Sequence, residues 1–287
     1  MNRKSILIAL ALTAACLKAQ PTAPLVGVVH CTDGSLRAVY GLPANLVYGA
    51  MLGRGVNAAA FSSTVGLVSR AAQIEYLAVD GTLIGAYATD EPSPLLAVGS
   101  VSTAGQTGSL AWLPSSQLLL IWSGGRAHQV QVTPLPGNVV SLAPGPPGFA
   151  DLMVAMDDGG VELLTVSLAT GQVTKTSVVL GAHKAAYQQN GFLLLPGADG
   201  LLVHLPDGRQ QLLGIKNGAI RFEAISDEWV HAFATDSGSP GSHWLLHLDG
   251  EAQGEAPLQV SELPAAPVRV PRIMPRQVES SPVRVTQ

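Results

Sequence analysis

Short runs of aliphatic residues, separated by turn-forming residues, dominate the hydrophobic pattern of this chain. Most runs end at Gly, Pro, Asp or Ser, which is typical of β-strands. Asp-Gly pairs follow many of the runs, at Asp33-Gly34, Asp80-Gly81, Asp158-Gly159, Asp199-Gly200, Asp207-Gly208 and Asp249-Gly250. These pairs favour type I′ hairpin turns, in which both central residues take a positive φ. The pattern therefore predicts an all-β fold made of antiparallel hairpins.

Helical signals are almost absent from the sequence. The best candidate is the Ala-rich stretch 56–61, which two serines follow directly. A helix of six residues is marginal without tertiary support, so we predict a strand with small side chains there.

The strongest turns recur at a regular interval. Taking one turn per unit, at positions 33, 80, 123, 158, 207 and 249, gives a mean spacing of about 43 residues. A four-stranded propeller blade has about 40–50 residues. We therefore predict a β-propeller of about six four-stranded blades over residues 20–263, with five or seven blades, a β-sandwich and an open repeat array as alternatives.

Closure of the ring follows from the apolar character of both strand faces. Each sheet would be apolar on both sides, and radial packing buries both sides while leaving only short edges. We expect strands from residues 25–49 to complete the last blade, so that strand pairing joins the two ends of the chain.

Residues 161–173 carry a recognisable repeat. The run Val-Glu-Leu-Leu-Thr-Val-Ser-Leu-Ala-Thr-Gly-Gln-Val resembles one repeat of the secreted bacterial β-propeller proteins, a broad group with quinoprotein-type and surface-layer-type repeats. Quinoprotein repeats place a Trp shortly after Thr-Gly, whereas this chain has Lys175 and Thr176 there. The resemblance implies a propeller fold, and members of the group mostly bind, scaffold or transport.

The first nineteen residues have the form of a signal peptide. Arg3 and Lys4 precede an apolar stretch that is too short to span a bilayer, and Ala19 offers a small residue for cleavage before Gln20. The alternative is a lipoprotein acylated at Cys16, which follows two alanines. We expect a periplasmic or extracellular protein without a transmembrane span in the mature chain.

Charge separates the body of the chain from its C-terminal segment. Residues 264–287 are rich in Pro and carry four arginines against Glu279. Residues 20–263 carry nine basic and nineteen acidic residues, a net charge of −10. Such a body repels phosphate backbones, so nucleic-acid binding is not expected. We expect a disordered tail, either a soluble terminus or a partner-binding strip through Arg269, Arg272, Arg276 and Arg284.

Two motifs suggest hydrolytic chemistry, and both lack a required part. Asp236-Ser237-Gly238 resembles an aspartic-protease loop, but the sequence has no second Asp-Ser/Thr-Gly. His243 and His247 would lie about 13 Å apart along one side of a strand, too far to share one zinc ion.

Three further patterns have structural explanations. Residues 53–58 fit Gly-x-Gly-x-x-Ala without the βαβ context of a dinucleotide site. Asp157 and Asp158 are expected at a solvated hairpin tip rather than around calcium. The Trp pairs are expected to pack between blades or, alternatively, to form a rim platform, and they are Trp112 with Trp122 and Trp229 with Trp244.

No complete catalytic set, cofactor motif or metal site is encoded locally. We therefore expect an exported, monomeric, non-catalytic binding or scaffolding module for a protein or glycan partner. The alternative is a hydrolase whose groups come from several blades and meet at the central channel, because propeller loops can converge in a way that one sequence does not display.

Overall fold

The structure, a computed structural model, confirms the all-β prediction. It describes residues 23–42, 45–99, 108–179, 186–215, 220–234, 243–248 and 258–263. Across these ranges the chain forms 23 strands and no helix. Accordingly, the described residues contain no helix with the length and hydropathy needed to cross a membrane.

The strands form six antiparallel sheets, each made of consecutive strands. The first sheet has three strands, β1 (Leu25–His30), β2 (Leu36–Leu42) and β3 (Asn45–Gly53). The second has four, β4 (Ala58–Phe61), β5 (Val65–Arg70), β6 (Gln73–Ala78) and β7 (Leu83–Ala88). The third also has four, β8 (Leu95–Gly99), β9 (Gly108–Leu113), β10 (Leu118–Ser123) and β11 (Arg126–Gln131).

The remaining three sheets have four strands each. The fourth contains β12 (Asn138–Pro144), β13 (Phe149–Ala155), β14 (Val161–Ser167) and β15 (Val173–Val179). The fifth contains β16 (Tyr187–Gln189), β17 (Phe192–Gly197), β18 (Gly200–His204) and β19 (Gln210–Leu213). The last contains β20 (Ile220–Ala224), β21 (Trp229–Ala234), β22 (His243–Leu248) and β23 (Leu258–Glu262).

Six hydrophobic clusters show that the sheets form a closed ring. Each cluster draws its buried side chains from two sheets that follow one another, and one cluster joins the last sheet to the first. Both faces of every sheet are therefore buried, as the apolar pattern predicts. The molecule is a β-propeller of six sheets.

Ring closure differs from the expectation. The N-terminal strands do not complete the last blade, because β1, β2 and β3 pair only with one another and the last sheet is built from β20 to β23. The contact between these two sheets, called the seam below, is made chiefly by side chains. They include Val29, Val39, Trp229 and Leu245. One backbone bond, from Val28 N–H to the Ile225 carbonyl at 3.1 Å, crosses the seam.

The channel has five inner strands rather than six. The first strand of each four-stranded sheet, β4, β8, β12, β16 and β20, lines the channel. In the three-stranded sheet, β1 packs against β21 of the last sheet and β4 of the second, while β20 and β4 contact each other directly. The first sheet is thus set back from the channel, which fits its lack of a fourth strand.

Within the described residues the hairpins form where predicted, but several turns are of another type; Asp249-Gly250 lies outside those residues. At Asp33, Asp80, Asp158 and Asp207 the carboxylate accepts the N–H two residues on, at 2.9 Å each. Only the following Gly takes a positive φ. These are type I turns with a Gly bulge, favoured because the Asp side chain satisfies a turn N–H. Both central residues take a positive φ at Asn190-Gly191 and at Gly124-Gly125, as a type I′ turn requires.

Candidate functional site

One end of the central channel forms a cavity of about 250 Å³. All five inner strands contribute to its wall, together with the residues directly before them. The wall consists of Ala58, Ala59, Pro94, Leu95, Leu96, Val140, Ser141, Leu142, Ala186, Tyr187, Ile220, Arg221, Phe222 and Glu223. We call this cavity the Arg221 end of the channel. Its wall is mostly apolar, with charged side chains only on β20 among the described residues.

Arg221 and Glu223 lie two residues apart on β20 and therefore project from the same face of the strand. The guanidinium Nη2 is 3.2 Å from Glu223 Oε1, and it also donates to the Asn57 carbonyl at 3.1 Å. The Arg221 side chain is 42% exposed and the Glu223 side chain 4% exposed. The pair thus joins a buried carboxylate to a cation that reaches solvent.

Glu223 is held on one oxygen only. His30 Nδ1 lies 3.2 Å from the same Oε1 that Arg221 contacts. The second oxygen, Oε2, is buried and has no hydrogen-bond partner among the described residues. A buried carboxylate oxygen without a donor is destabilising, which makes this atom a candidate contact for a ligand.

An aromatic pair forms part of the cavity wall. Tyr187 on β16 and Phe222 on β20 stack with ring centroids 5.5 Å apart. The Tyr187 hydroxyl donates to Gln189 Oε1 at 2.9 Å. Burial raises the pKa of the Tyr187 phenol and the nearby Glu223 charge raises it further, so the phenol stays neutral and acts as a donor.

The other end of the channel is tied together by amide side chains. It encloses about 180 Å³ between the ends of four inner strands, β8, β12, β16 and β20, and shares Leu142 and Tyr187 with the Arg221 end. Gln189 Nε2 donates to the carbonyls of Ser226 and Asp227, at 2.9 and 2.8 Å. These bonds link the fifth sheet to the last and have a structural role.

A histidine cluster lies in the seam, beside the Arg221 end. His231 on β21 sits directly opposite Glu223 on β20, and its Nε2 lies 2.9 Å from Nδ1 of His243. Burial lowers the pKa of His231 well below its usual value, and His243 and His30 lower it further. Burial also lowers the pKa of His243. Both imidazoles are therefore neutral near pH 7.

A groove opens where the first, second and last sheets meet, on the face of the ring opposite the Arg221 end. It has a volume of about 440 Å³ and is lined partly by Leu25, Ser63, Asp227 and Trp229. Ser63 N–H donates to Asp227 Oδ2 at 3.1 Å across it. The groove shares no residue with the Arg221 end.

The structure places several candidates from the sequence in structural roles. His243 and His247 lie on one strand, β22, and the described residues contain no cluster of three or more ligands that could hold a metal ion. Residues 53–58 lead into strand β4 rather than a helix. Asp157 and Asp158 lie exposed at a turn. Trp122 is 1% exposed, in agreement with packing between sheets.

Other candidates fall outside the described residues. They are the signal segment 1–19 with Cys16, the loop Asp236-Ser237-Gly238, and the arginines of the tail, Arg269, Arg272, Arg276 and Arg284.

Sequence reasoning did not find the residues of the Arg221 end. Arg221 and Glu223 lie on strand β20 outside every motif of the sequence analysis, and His30 is 193 residues from Glu223 along the chain. One local signal was present. An Arg and a Glu two apart in a strand share one face, and in a ring of sheets buried on both sides that face points into the protein.

Comparisons with known proteins agree with the fold and leave the family open. No protein-family model and no curated protein matches the chain. A solved structure of a nidogen/laminin complex is similar, with a TM-score of 0.51, 13% identity, and coverage of 77% of this chain and 89% of that chain. The Aleuria aurantia lectin in complex with Fucα1-6GlcNAc also has a TM-score of 0.51, with 10% identity and coverage of 84% of this chain and 93% of that chain. At such identities the likeness shows the fold alone.

Proposed function

We propose that this chain is an exported binding module that holds a protein or glycan partner at the Arg221 end of its channel without transforming it. The observation that carries the proposal is the make-up of that end. An open cavity lined mostly by apolar residues contains the Arg221–Glu223 ion pair, and Oε2 of the buried carboxylate has no partner among the described residues. Such a cavity suits recognition, because a few convergent polar groups in an apolar pocket fix the orientation of a ligand.

Two structural neighbours lend support. One is a complex of nidogen with laminin, and the other is a lectin with a bound disaccharide. Both proteins share the ring architecture and hold another molecule. On this chain, the corresponding role would need a polar group available to a ligand, and Glu223 Oε2, which has no partner among the described residues, is the candidate.

Export is part of the proposal and is supported by the basic and apolar pattern of residues 1–19. We expect the mature protein, isolated from a bacterial host that exports it, to begin at Gln20. Intact-mass spectrometry measures this directly. A mature N-terminus carrying lipid on Cys16 would contradict simple secretion and assign the protein to the lipoproteins, and an uncleaved Met1 would contradict export by signal cleavage.

Affinity capture tests the binding role. The intact mature protein is used as bait against envelope and culture-medium fractions of a bacterial host, beside its Arg221→Gln and Arg126→Gln variants. Arg126 is an exposed arginine on the outer strand β11 and serves as the matched control. We expect a partner that the wild type and Arg126→Gln retain and that Arg221→Gln loses by about tenfold. Equal retention by both variants would contradict binding at this end.

The C-terminal segment is a second part of the same proposal. Its four arginines would attract an acidic partner surface, while the body carries a net charge of −10. A bait that ends at residue 263 separates the two contributions in the same capture experiment. Loss of partner on removal of 264–287 assigns the tail to binding, and unchanged capture assigns it to a soluble terminus.

One observation favours a hydrolase as the second candidate. His30 and Glu223 form an imidazole–carboxylate contact of 3.2 Å beside the channel. Glycoside hydrolysis uses two carboxyl groups in most families, whereas the described wall of the Arg221 end has one. Release of product from aryl glycosides or lactones by the wild type, abolished in Glu223→Gln, would replace the binding proposal with this one.

A further inference from the structure

We propose that the Arg221 end is a subsite for one neutral sugar ring, either a free monosaccharide or the terminal residue of a glycan. This inference rests on the proposed binding function and names the class of ligand. It is carried by three features of the cavity, namely the paired charges, the unpartnered carboxylate oxygen and the aromatic wall.

The paired charges select against ions. Arg221 and Glu223 carry opposite charges 3.2 Å apart, so the formal charge of the pair is zero. A cationic ligand that approaches Glu223 meets the guanidinium, and an anionic ligand that approaches Arg221 meets the carboxylate. A neutral ligand avoids both penalties.

The hydrogen-bonding capacity of the pair matches adjacent hydroxyl groups. A guanidinium only donates, an ionised carboxylate only accepts, and a hydroxyl does both. Two neighbouring hydroxyls on one ring can therefore accept from Arg221 and donate to Glu223 at the same time. No described residue donates to the Oε2 atom of Glu223, so a hydroxyl donor there would remove an existing deficit.

The aromatic wall supplies the complementary apolar contact. A sugar ring presents polar hydroxyls at its edge and C–H groups on its faces, and aromatic side chains combine such an apolar surface with a polar tip. Tyr187 and Phe222 stack in the wall, and Leu95 and Leu142 extend the apolar surface. One part of the cavity thus offers hydrogen bonds and another offers apolar contact.

Size limits the occupant to a single ring. The volume of about 250 Å³ lies below the range of about 300–1,000 Å³ found for sites that enclose drug-sized ligands. Arg221 is 42% exposed, so the pair also reaches solvent. A sugar ring held there can carry a glycosidic link that leaves the cavity. A free monosaccharide and the terminal residue of a glycan can therefore make the same contacts.

Saturation-transfer NMR and calorimetry on the intact mature protein test the proposal. The probes are methyl glycosides of glucose, galactose, mannose, fucose and N-acetylglucosamine, each at up to about 10 mM. We expect at least one to bind with a Kd on the order of 1 mM or lower. Absence of binding by all five would overturn the sugar assignment.

Three variants locate the site. Glu223→Gln keeps the shape of the side chain, and Phe222→Leu keeps an apolar group while removing the aromatic face. We expect each to weaken binding by about tenfold or more. Glu162→Gln breaks an ion pair with Lys175 on β14 and β15, the third and fourth strands of the fourth sheet, and should leave binding unchanged. Thermal unfolding and circular dichroism establish that each variant is folded. Unchanged binding in both folded site variants would overturn the assignment to this cavity.

Further ligands distinguish the sources and the alternatives. A disaccharide that ends in the bound sugar tells the two sources apart. If the site recognises the end of a glycan, the disaccharide binds at least as tightly as the methyl glycoside. If the site recognises a free monosaccharide, the methyl glycoside binds and the disaccharide does not. Leucine and tetramethylammonium test zwitterionic and cationic ligands, and tighter binding of either would overturn the proposal. Partner capture that depends on Arg221, combined with no sugar binding, would reject this inference while leaving the binding function in place.

Discussion

Gly27→Ala is expected to destabilise the protein by about 3 kcal/mol, because a side chain at Gly27 would meet the backbone of Ile225 across the seam. A Cβ at this position would overlap the carbonyl oxygen of Ile225 and approach its carbonyl carbon to 2.7 Å. Those are backbone atoms and cannot rotate away. The substitution must therefore separate β1 from the last sheet and strain the bond from Val28 N–H to Ile225.

The measurement is thermal or urea unfolding of the wild type, Gly27→Ala and Gly214→Ala. A domain of this size should lose roughly 6–12 °C in Tm for a loss of about 3 kcal/mol. A Cβ on Gly214 meets nothing within 4 Å, so Gly214→Ala should change stability by less than about 0.5 kcal/mol. Equal effects of the two substitutions would contradict the tight seam that closes the ring.

Mild acid is the second strong perturbation, since neutral imidazoles are buried in the seam. His231 has a lower pKa in the folded protein than in the unfolded chain, whose histidines titrate near pH 6.5. As the pH falls below about 6.5, the unfolded chain therefore binds the proton first. The free energy of unfolding then falls by up to about 1.4 kcal/mol per pH unit for this residue, until the pH reaches the pKa of the folded state.

Burial of His231 sets the sign of this effect by lowering its pKa, and the neighbouring groups act on the pKa as well. Protonated His231 would lie beside His243 and His30, which lower its pKa, and opposite the carboxylate of Glu223. The lowered pKa of His243 acts in the same direction. The carboxyls with lowered pKa values, those of Asp33, Asp80 and Asp207, lose their contribution only below about pH 4, so the two pH windows are separate.

Urea unfolding between about pH 7.5 and 5.5 measures the slope. We expect the slope to flatten in His231→Gln and to persist in His128→Gln, which alters an exposed histidine on β11. A slope that is the same in all three proteins would contradict the assignment to the seam.

The sequence was informative where strands end in turns and less so at the channel. Most middle and outer strands were identified, because apolar runs between Asp-Gly or Gly-Gly turns mark them. Three inner strands, β8, β12 and β16, were not identified. Strands β12 and β16 include polar or turn-forming residues, such as Ser141, Pro144 and Gln189, so no long apolar run marks them. Strand β8 has a run of only four apolar residues, 95–98, and no Asp-Gly or Gly-Gly turn beside it.

Closure and the candidate site depend on contacts between distant parts of the chain. The prediction that N-terminal strands join the last blade was wrong, because β1 pairs with β2 and reaches the last sheet through its side chains. The same seam brings His30 to Glu223. No local pattern in the sequence predicts the contact between His30 and Glu223, because it depends on how many sheets complete the ring.

The most direct measurement of the central claim, that the Arg221 end of the channel is a binding site, is a crystal structure of the mature protein soaked with the methyl glycoside that binds best in solution. We predict one sugar ring in the cavity, with hydroxyls within hydrogen-bond distance of Arg221 and of Glu223 Oε2, and its C–H face on Phe222 or Tyr187. Clear density for the sugar in the groove beside Trp229 or on an outer strand, with the Arg221 end empty, would contradict the claim.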